Sequence, residues 1–250
     1  MNRSLKQLIF GSIYLVILIL IAGGIYFFYL KPAPSCFDSK QNQKETGIDC
    51  GGPCIPCELK GLSLITEEVK VFPAGKNQAT VLAKVRNPSQ NFSAKFSYQF
   101  ELGGGLLGQS RELRGKKVIA PQATKYIVVP GLPIDAKDIR SGNLKITELN
   151  WEEDPHLIRD IRVVKQTNID KNRVTVTGLL SNNSATNFPI LNLAALLFDK
   201  EGGILNASVT RLEKVHPFSQ KQFIFFFPEV EGLVQKLDPE KTEIQWELNE

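Results

Sequence analysis

The sequence predicts an all-β protein: two tandem β-sandwiches behind one transmembrane helix and a small disulfide-rich module. Three observations carry this reading. An uncharged apolar run, Leu8 to Leu30, stands near the N-terminus. Four cysteines, the only ones in 250 residues, fall between Cys36 and Cys57. From Leu62 onward apolar and polar residues alternate with the period of strands, and the order of landmarks recurs a little under a hundred residues later.

Residues 1–7 form a short flank carrying Arg3 and Lys6 and no acid, which places the N-terminus in the cytoplasm. Residues 8–30 follow as the transmembrane helix, since about 20 apolar residues cross a bilayer. The run is too long for the roughly 7–15 apolar residues of a cleaved signal, so the helix is expected to remain as an anchor. Tyr26, Phe27, Phe28 and Tyr29 suit an aromatic belt at the outer interface, with everything after Lys31 extracytoplasmic. The lipid bilayer is therefore the first expected partner. With 42% hydrophobic and 22% charged residues, the chain is neither disordered nor collagen-like. Beyond the flank its charge is close to balanced, which leaves no electrostatic footprint for nucleic acid.

Residues 31–58 make the cysteine-rich module, with too few apolar side chains to fold without covalent help. Cys36, Cys50, Cys54 and Cys57 predict two disulfides, and three connectivities are open. A four-cysteine zinc site is an alternative that an exported location disfavours. A redox pair at Cys54-Ile55-Pro56-Cys57 is another, and gives the alternative function of an envelope redox protein or enzyme. Gly51-Gly52 with Pro53 and Pro56 indicates a turn there, not the helix start such a pair uses. Asp38, Asn42, Glu45 and Asp49 add oxygen donors that permit a calcium ion, and the same residue types also cap turns. The string Cys36-x-Asp38-x3-Asn42-x2-Glu45-x3-Asp49-Cys50-Gly51-Gly52-x-Cys54-x2-Cys57 resembles a short segment recurring in extracellular bacterial proteins. Ser39 stands where that pattern has glycine. The resemblance implies an exposed module and no activity.

Residues 59–151 and 155–250 are the two sandwiches. Ala79 to Val85, Phe96 to Leu102, Tyr126 to Val129 and Leu144 to Ile146 alternate as strands. Asn87-Pro-Ser89 matches Asn182-Asn-Ser184, Gly103-Gly104 matches Gly202-Gly203, and Pro121 and Pro130 match Pro217 and Pro228. The acidic stretch Glu152 to Pro155 reads as the linker. Ala195-Leu-Leu-Phe198-Asp199 with Gly202-Gly203-Ile204-Leu205 resembles the FxLYD type of immunoglobulin-like domain. Ala195 and Phe198 replace that family's Phe and Tyr, and the first copy lacks the Asp. The resemblance implies immunoglobulin-like sandwiches on a bacterial single-pass surface protein.

Other features carry bland readings. Gly103-x-Gly105-x2-Gly108 fits a dinucleotide fingerprint by letter, but strands flank it on both sides, so it reads as a hairpin turn. Arg111, Arg114, Lys116 and Lys117 are the densest positive cluster, a solvated hairpin face or a contact for anionic envelope polymer or lipid headgroups. His156 and His216 have no nucleophile or carboxylate in a catalytic pattern. Phe223, Phe225 and Phe227 alternate with Ile224 and Phe226, so this strand is expected to cover the core with one face and the other sandwich, or a partner protein, with its second. The expected function is non-catalytic: a membrane-anchored extracytoplasmic binding or structural protein whose partner is a protein or envelope polymer. No cofactor beyond the calcium is implied.

Overall fold

The computed structural model describes residues 3–26, 35–42, 44–104, 111–153 and 160–248. They fall into two compact units, Met1–Gly61 and Leu62–Glu250. In the first, α1 (Arg3–Ile25) carries no acid in its first turn. Its stretch Gln7–Ile25 has a mean hydropathy of 2.6, is long and apolar enough to cross a membrane, and buries nothing against protein. Apolar side chains stand on every side of it, as lipid requires and a soluble surface does not. Tyr26 follows it, whereas Phe27, Phe28 and Tyr29 lie outside the described residues. The cysteine module ends in a 3-10 turn, Cys57–Leu59, whose Leu59 is buried.

The second unit is two tandem sandwiches of antiparallel strands. The first contains β1 (Ile65–Thr66), β2 (Lys70–Gly75), β3 (Gln78–Arg86), β4 (Phe92–Gly103), β5 (Arg111–Ile119), β6 (Thr124–Leu132) and β7 (Ser141–Glu153). The second contains β8 (Ile161–Asp170), β9 (Arg173–Asn182), β10 (Phe188–Phe198), β11 (Ile204–Val215), β12 (Ser219–Phe226), the short α2 (Leu233–Lys236) and β13 (Glu243–Leu248). In the first sandwich β3 lies between β2 and β6, and β4 between β5 and β7. The second repeats the scheme, with β9 between β8 and β12 and β10 between β11 and β13. Two sheets face each other in each copy, the immunoglobulin-like arrangement.

Each copy fills its own interior. Val81, Phe96, Phe100, Leu102 and Ile127 form one core, and Val176, Leu180, Leu193, Leu197 and Phe225 the other. The repeat is also written in buried amides. Asn87 sends its Nδ2 to the carbonyls of Phe92, Ile119 and Ala120, while its Oδ1 accepts from Ser89 N. Asn182 does the same to Thr186 and His216, and accepts from Ser184. Both asparagines are fully buried and tie strand ends that would otherwise hide unpaired carbonyls.

Two expectations need correction. Strand β7 continues through Glu152 and Glu153, which pair with Ser93 and Phe92, because β4 still offers backbone partners there. The first sandwich therefore runs past residue 151, and Asp154 and Pro155 of the expected linker lie outside the described residues. The second face of β12 does not meet the other sandwich: Ile224 is 43% and Phe226 68% exposed. A third apolar cluster joins the copies instead. Phe72 and Leu82 of the first pack with Leu196, Phe198 and Ala207 of the second, flanked by Tyr126, Val128 and Ile204. The outer face of the β2–β3–β6 sheet thus docks on the outer face of the β11–β10–β13 sheet.

Candidate functional site: a cleft at the joint, and the disulfide module

Where the two sandwiches part beyond that apolar contact, they leave a cleft of about 330 Å³. Its floor is the outer face of β11–β10–β13, in two cross-strand rows. Val209, Ala194 and Gln245 form one row, and Arg211, Asn192 and Glu247 the next. Ala194 sits at the centre of the three strands, and its small side chain leaves the depression. Lys117 of β5 and Lys125, Tyr126 and Val128 of β6 supply the facing wall. The floor strands are hydrogen-bonded to one another, so the surface offers a visitor side chains and little free backbone.

Polar bonds set the geometry of this joint. The Glu247 carboxylate accepts from Lys117 Nζ and lies 4.0 Å from Lys125 Nζ. Lys125 also donates to the Val118 carbonyl at 2.9 Å. Tyr126 N donates to Gln245 Oε1 at 3.0 Å. Arg211 faces Glu213 at 3.5 Å along its own strand, half in solvent. Three cations against one acid line the cleft. Within low-dielectric walls such an excess favours an anion. Tyr98, under the same joint, has its hydroxyl pushed up to about 12, by burial first and by the Glu247 charge second. Burial likewise raises Tyr126, with Lys84 opposing.

The positive cluster seen in the sequence is divided by the strand's alternation. Arg114 and Lys116 point to solvent, and Lys117 turns into the joint. The Arg111 side chain lies outside the described residues, as do His156 and residues 105–110 of the glycine string. The strands flanking that string, β4 and β5, pair antiparallel. The equivalent turn in the second copy is capped by Asp199, whose Oδ1 accepts from Glu201 N and Gly203 N. His216 serves through its main chain, its carbonyl accepting from Asn182 and Ser219. Lys125, Arg211, Gln245 and Glu247 were not singled out from sequence. Arg211, Gln245 and Glu247 are ordinary outward polar residues on alternating strands and Lys125 stands beside Val85 near the start of β6, with no local signal that another sandwich stands opposite.

In the module, Cys36 bonds Cys54 and Cys50 bonds Cys57, and among the described residues no cysteine is free. Gly51 and Gly52 both take left-handed backbone, φ 79° and 59°, which swings the chain back beneath the Thr46 and Lys44 backbone. The Cys54–Cys57 redox pair is corrected here: each cysteine bonds a partner elsewhere, because the turn directs the two sulfurs to different strands of the loop. A four-thiolate zinc site is removed by the same bonds.

The four oxygen donors are arranged as follows. Asp38 accepts from Asn42 Nδ2 at 2.8 Å and from Lys40 N, and the amide of Asn42 is the main influence holding its carboxyl below the usual range. Asp49 accepts from Ser39 N and lies 3.7 Å from Lys60 Nζ. Glu45 is buried, with Oε2 accepting from Asn42 N and Oε1 3.0 Å from Cys54 Sγ. A disulfide sulfur has no proton to donate, so that last contact is not a hydrogen bond. Asn42 Oδ1 is buried without a partner. The ligand atoms that gather within 4.8 Å are those of Cys36, Glu45 and Cys54, two of them disulfide sulfurs. Asp38 and Asp49 do not join Glu45 in that group; they hold backbone amides.

No family model and no curated protein matches the chain. Among solved structures it is similar to the N-terminal CBM22-1-CBM22-2 tandem domain of Paenibacillus barcinonensis Xyn10C, at 9% identity and a TM-score of 0.17, covering 75% of this chain and 86% of that one. At that score the likeness carries no argument. The fold and its parts define a tandem immunoglobulin-like β-sandwich protein with an N-terminal apolar helix and a disulfide-bonded module.

Proposed function

We propose that the protein is a membrane-anchored extracytoplasmic binding or structural protein, non-catalytic, that presents its two sandwiches outside the cell membrane. The observation that carries this is the sequence of parts at the N-terminus. An apolar helix with a basic flank is followed at once by a segment whose four cysteines are all in disulfides, and disulfides persist in oxidising compartments. The cleft at the joint is the surface we assign to binding, and its cationic lining suits an anionic envelope polymer. A reporter enzyme that needs disulfides to fold, fused after Glu250 in a bacterial host, tests the topology. Activity is expected from the full-length fusion. Activity confined to a fusion carrying the reporter before Leu8 would overturn the reading.

A further inference from the structure

Glu45 is a buried carboxyl beside a disulfide. It is 6% exposed, and its Oε2 accepts from Asn42 N at 3.1 Å. Its Oε1 lies 3.0 Å from Cys54 Sγ, one half of the Cys36–Cys54 bond, and that sulfur has no proton to give. Among the described residues no other donor reaches that oxygen. A buried acceptor left in this state weighs against the oxidised form. Breaking the bond changes the balance, because a Cys54 thiol carries a proton to donate to the same oxygen. The second disulfide stands differently. Thr46 Oγ1 lies 3.3 Å from Cys57 Sγ, and its hydroxyl can donate to that sulfur while the Cys50–Cys57 bond is intact.

We infer that Cys36–Cys54 is a site of thiol–disulfide exchange whose reaction partner is a dithiol. Cys36 and Cys54 are both partly exposed. The partner's thiolate attacks Cys36 Sγ, since the Glu45 oxygen stands on the Cys54 side of the bond. The S–S bond breaks, and Cys54 Sγ leaves with the bonding pair, takes a proton from solvent and donates it to Glu45 Oε1. The partner's second thiol then attacks the mixed disulfide. The partner departs as a disulfide, and Cys36 keeps the electron pair and gains a proton. Two electrons and two protons thus pass from the dithiol to the Cys36–Cys54 pair. The acceptor keeps its place after opening. Thr46 N and Gly47 N both donate to the Cys50 carbonyl, and Cys50 stays bonded to Cys57, so Glu45 and Cys54 remain on one frame. The bond spans 18 residues, which at about 3.3 Å each draw out to roughly 60 Å. In the anchored protein that freed length adds to the neck between helix and sandwiches. This consequence rests on the anchored reading; the exchange itself does not.

The test uses the full chain in detergent, equilibrated with set ratios of reduced and oxidised dithiothreitol, then alkylated and digested with trypsin. Cleavage after Lys40 puts Cys36 on a different peptide from the other three cysteines. Cys36 and Cys54 are expected to open at a less reducing ratio than Cys50 and Cys57, an order that needs no variant. Glu45→Gln, whose amide can donate to the sulfur of the intact bond, should lower the equilibrium constant for opening by about tenfold, or roughly 30 mV. The Cys50–Cys57 midpoint should stay in place. Glu45→Asp, which draws the carboxyl back from the sulfur, is a second variant should the amide disturb folding, and it should shift the midpoint the same way. Opening of Cys50–Cys57 first, or of both bonds together, overturns the inference. So does a Cys36–Cys54 midpoint that neither variant moves. Thiols are counted in detergent without reference to topology. A reporter result placing the C-terminus in the cytoplasm would sink the anchored reading and leave the exchange site standing.

Discussion

Asn87 and Asn182 are fully buried and each donates to several main-chain carbonyls, so their loss is expected to exceed that of an ordinary surface amide. A buried polar group left unpaired costs about 1–3 kcal/mol. Asn87→Ala should therefore lower stability by at least that much in denaturant titrations, and Asn87→Asp should not rescue it, since a carboxylate cannot donate to the Phe92, Ile119 and Ala120 carbonyls. Tyr98 makes a prediction with a sign. Its hydroxyl is held protonated to about 12 in the folded chain, against an ordinary value of 10.0. The folded state keeps a proton that the unfolded state releases, so stability is full below pH 10 and falls as pH rises toward 12. Tyr98→Phe should flatten that loss in melting curves taken across this range. Both asparagines were visible in the sequence as a matched Asn-x-Ser pair. Their role was not, because the carbonyls they bind lie on strands far along the chain.

At the scale of elements, the cysteine module and the sandwich unit are separate compact bodies, and their stabilities should separate too. Reductant is expected to expose residues 36–57 to protease while the melting temperature of the sandwich unit stays put; a joint loss would mean the module braces the sandwiches. The module's place in the chain and its turn at Gly51-Gly52 were legible beforehand. The pairing Cys36–Cys54 and Cys50–Cys57 was not, since spacing alone leaves three connectivities and only the loop's path chooses one. The strands divide similarly. Alternation in β4 and β10 identifies Phe100, Leu102, Leu193 and Leu197 as core, and they are buried. Strand β12 shows the limit: two apolar faces say that both want cover, without saying by what.

For the whole molecule the joint decides how the sandwiches behave together. Leu102→Ala and Leu197→Ala each open a cavity in one core, and each is expected to cost about 2–5 kcal/mol. With Leu196, Phe198 and Ala207 of one sandwich packed on Phe72 and Leu82 of the other, calorimetry should record coupled unfolding. Leu196→Asp, placing a charge in that contact, should split it into two transitions; a single unchanged transition would mean the joint contributes little. The cleft belongs to this scale as well, since Lys117 and Glu247 meet only because two sandwiches dock. The all-β class, the tandem repeat, the apolar helix and the clustered cysteines could be read from the residues alone. Each of these is local periodicity or spacing, set by where neighbouring side chains point. The disulfide pairing, the sheet faces that form the joint, the lining of the cleft and the bare face of β12 emerge with the folded chain. Those depend on contacts between residues distant in the chain, and polar outward positions look alike in sequence whether they face water or another sandwich.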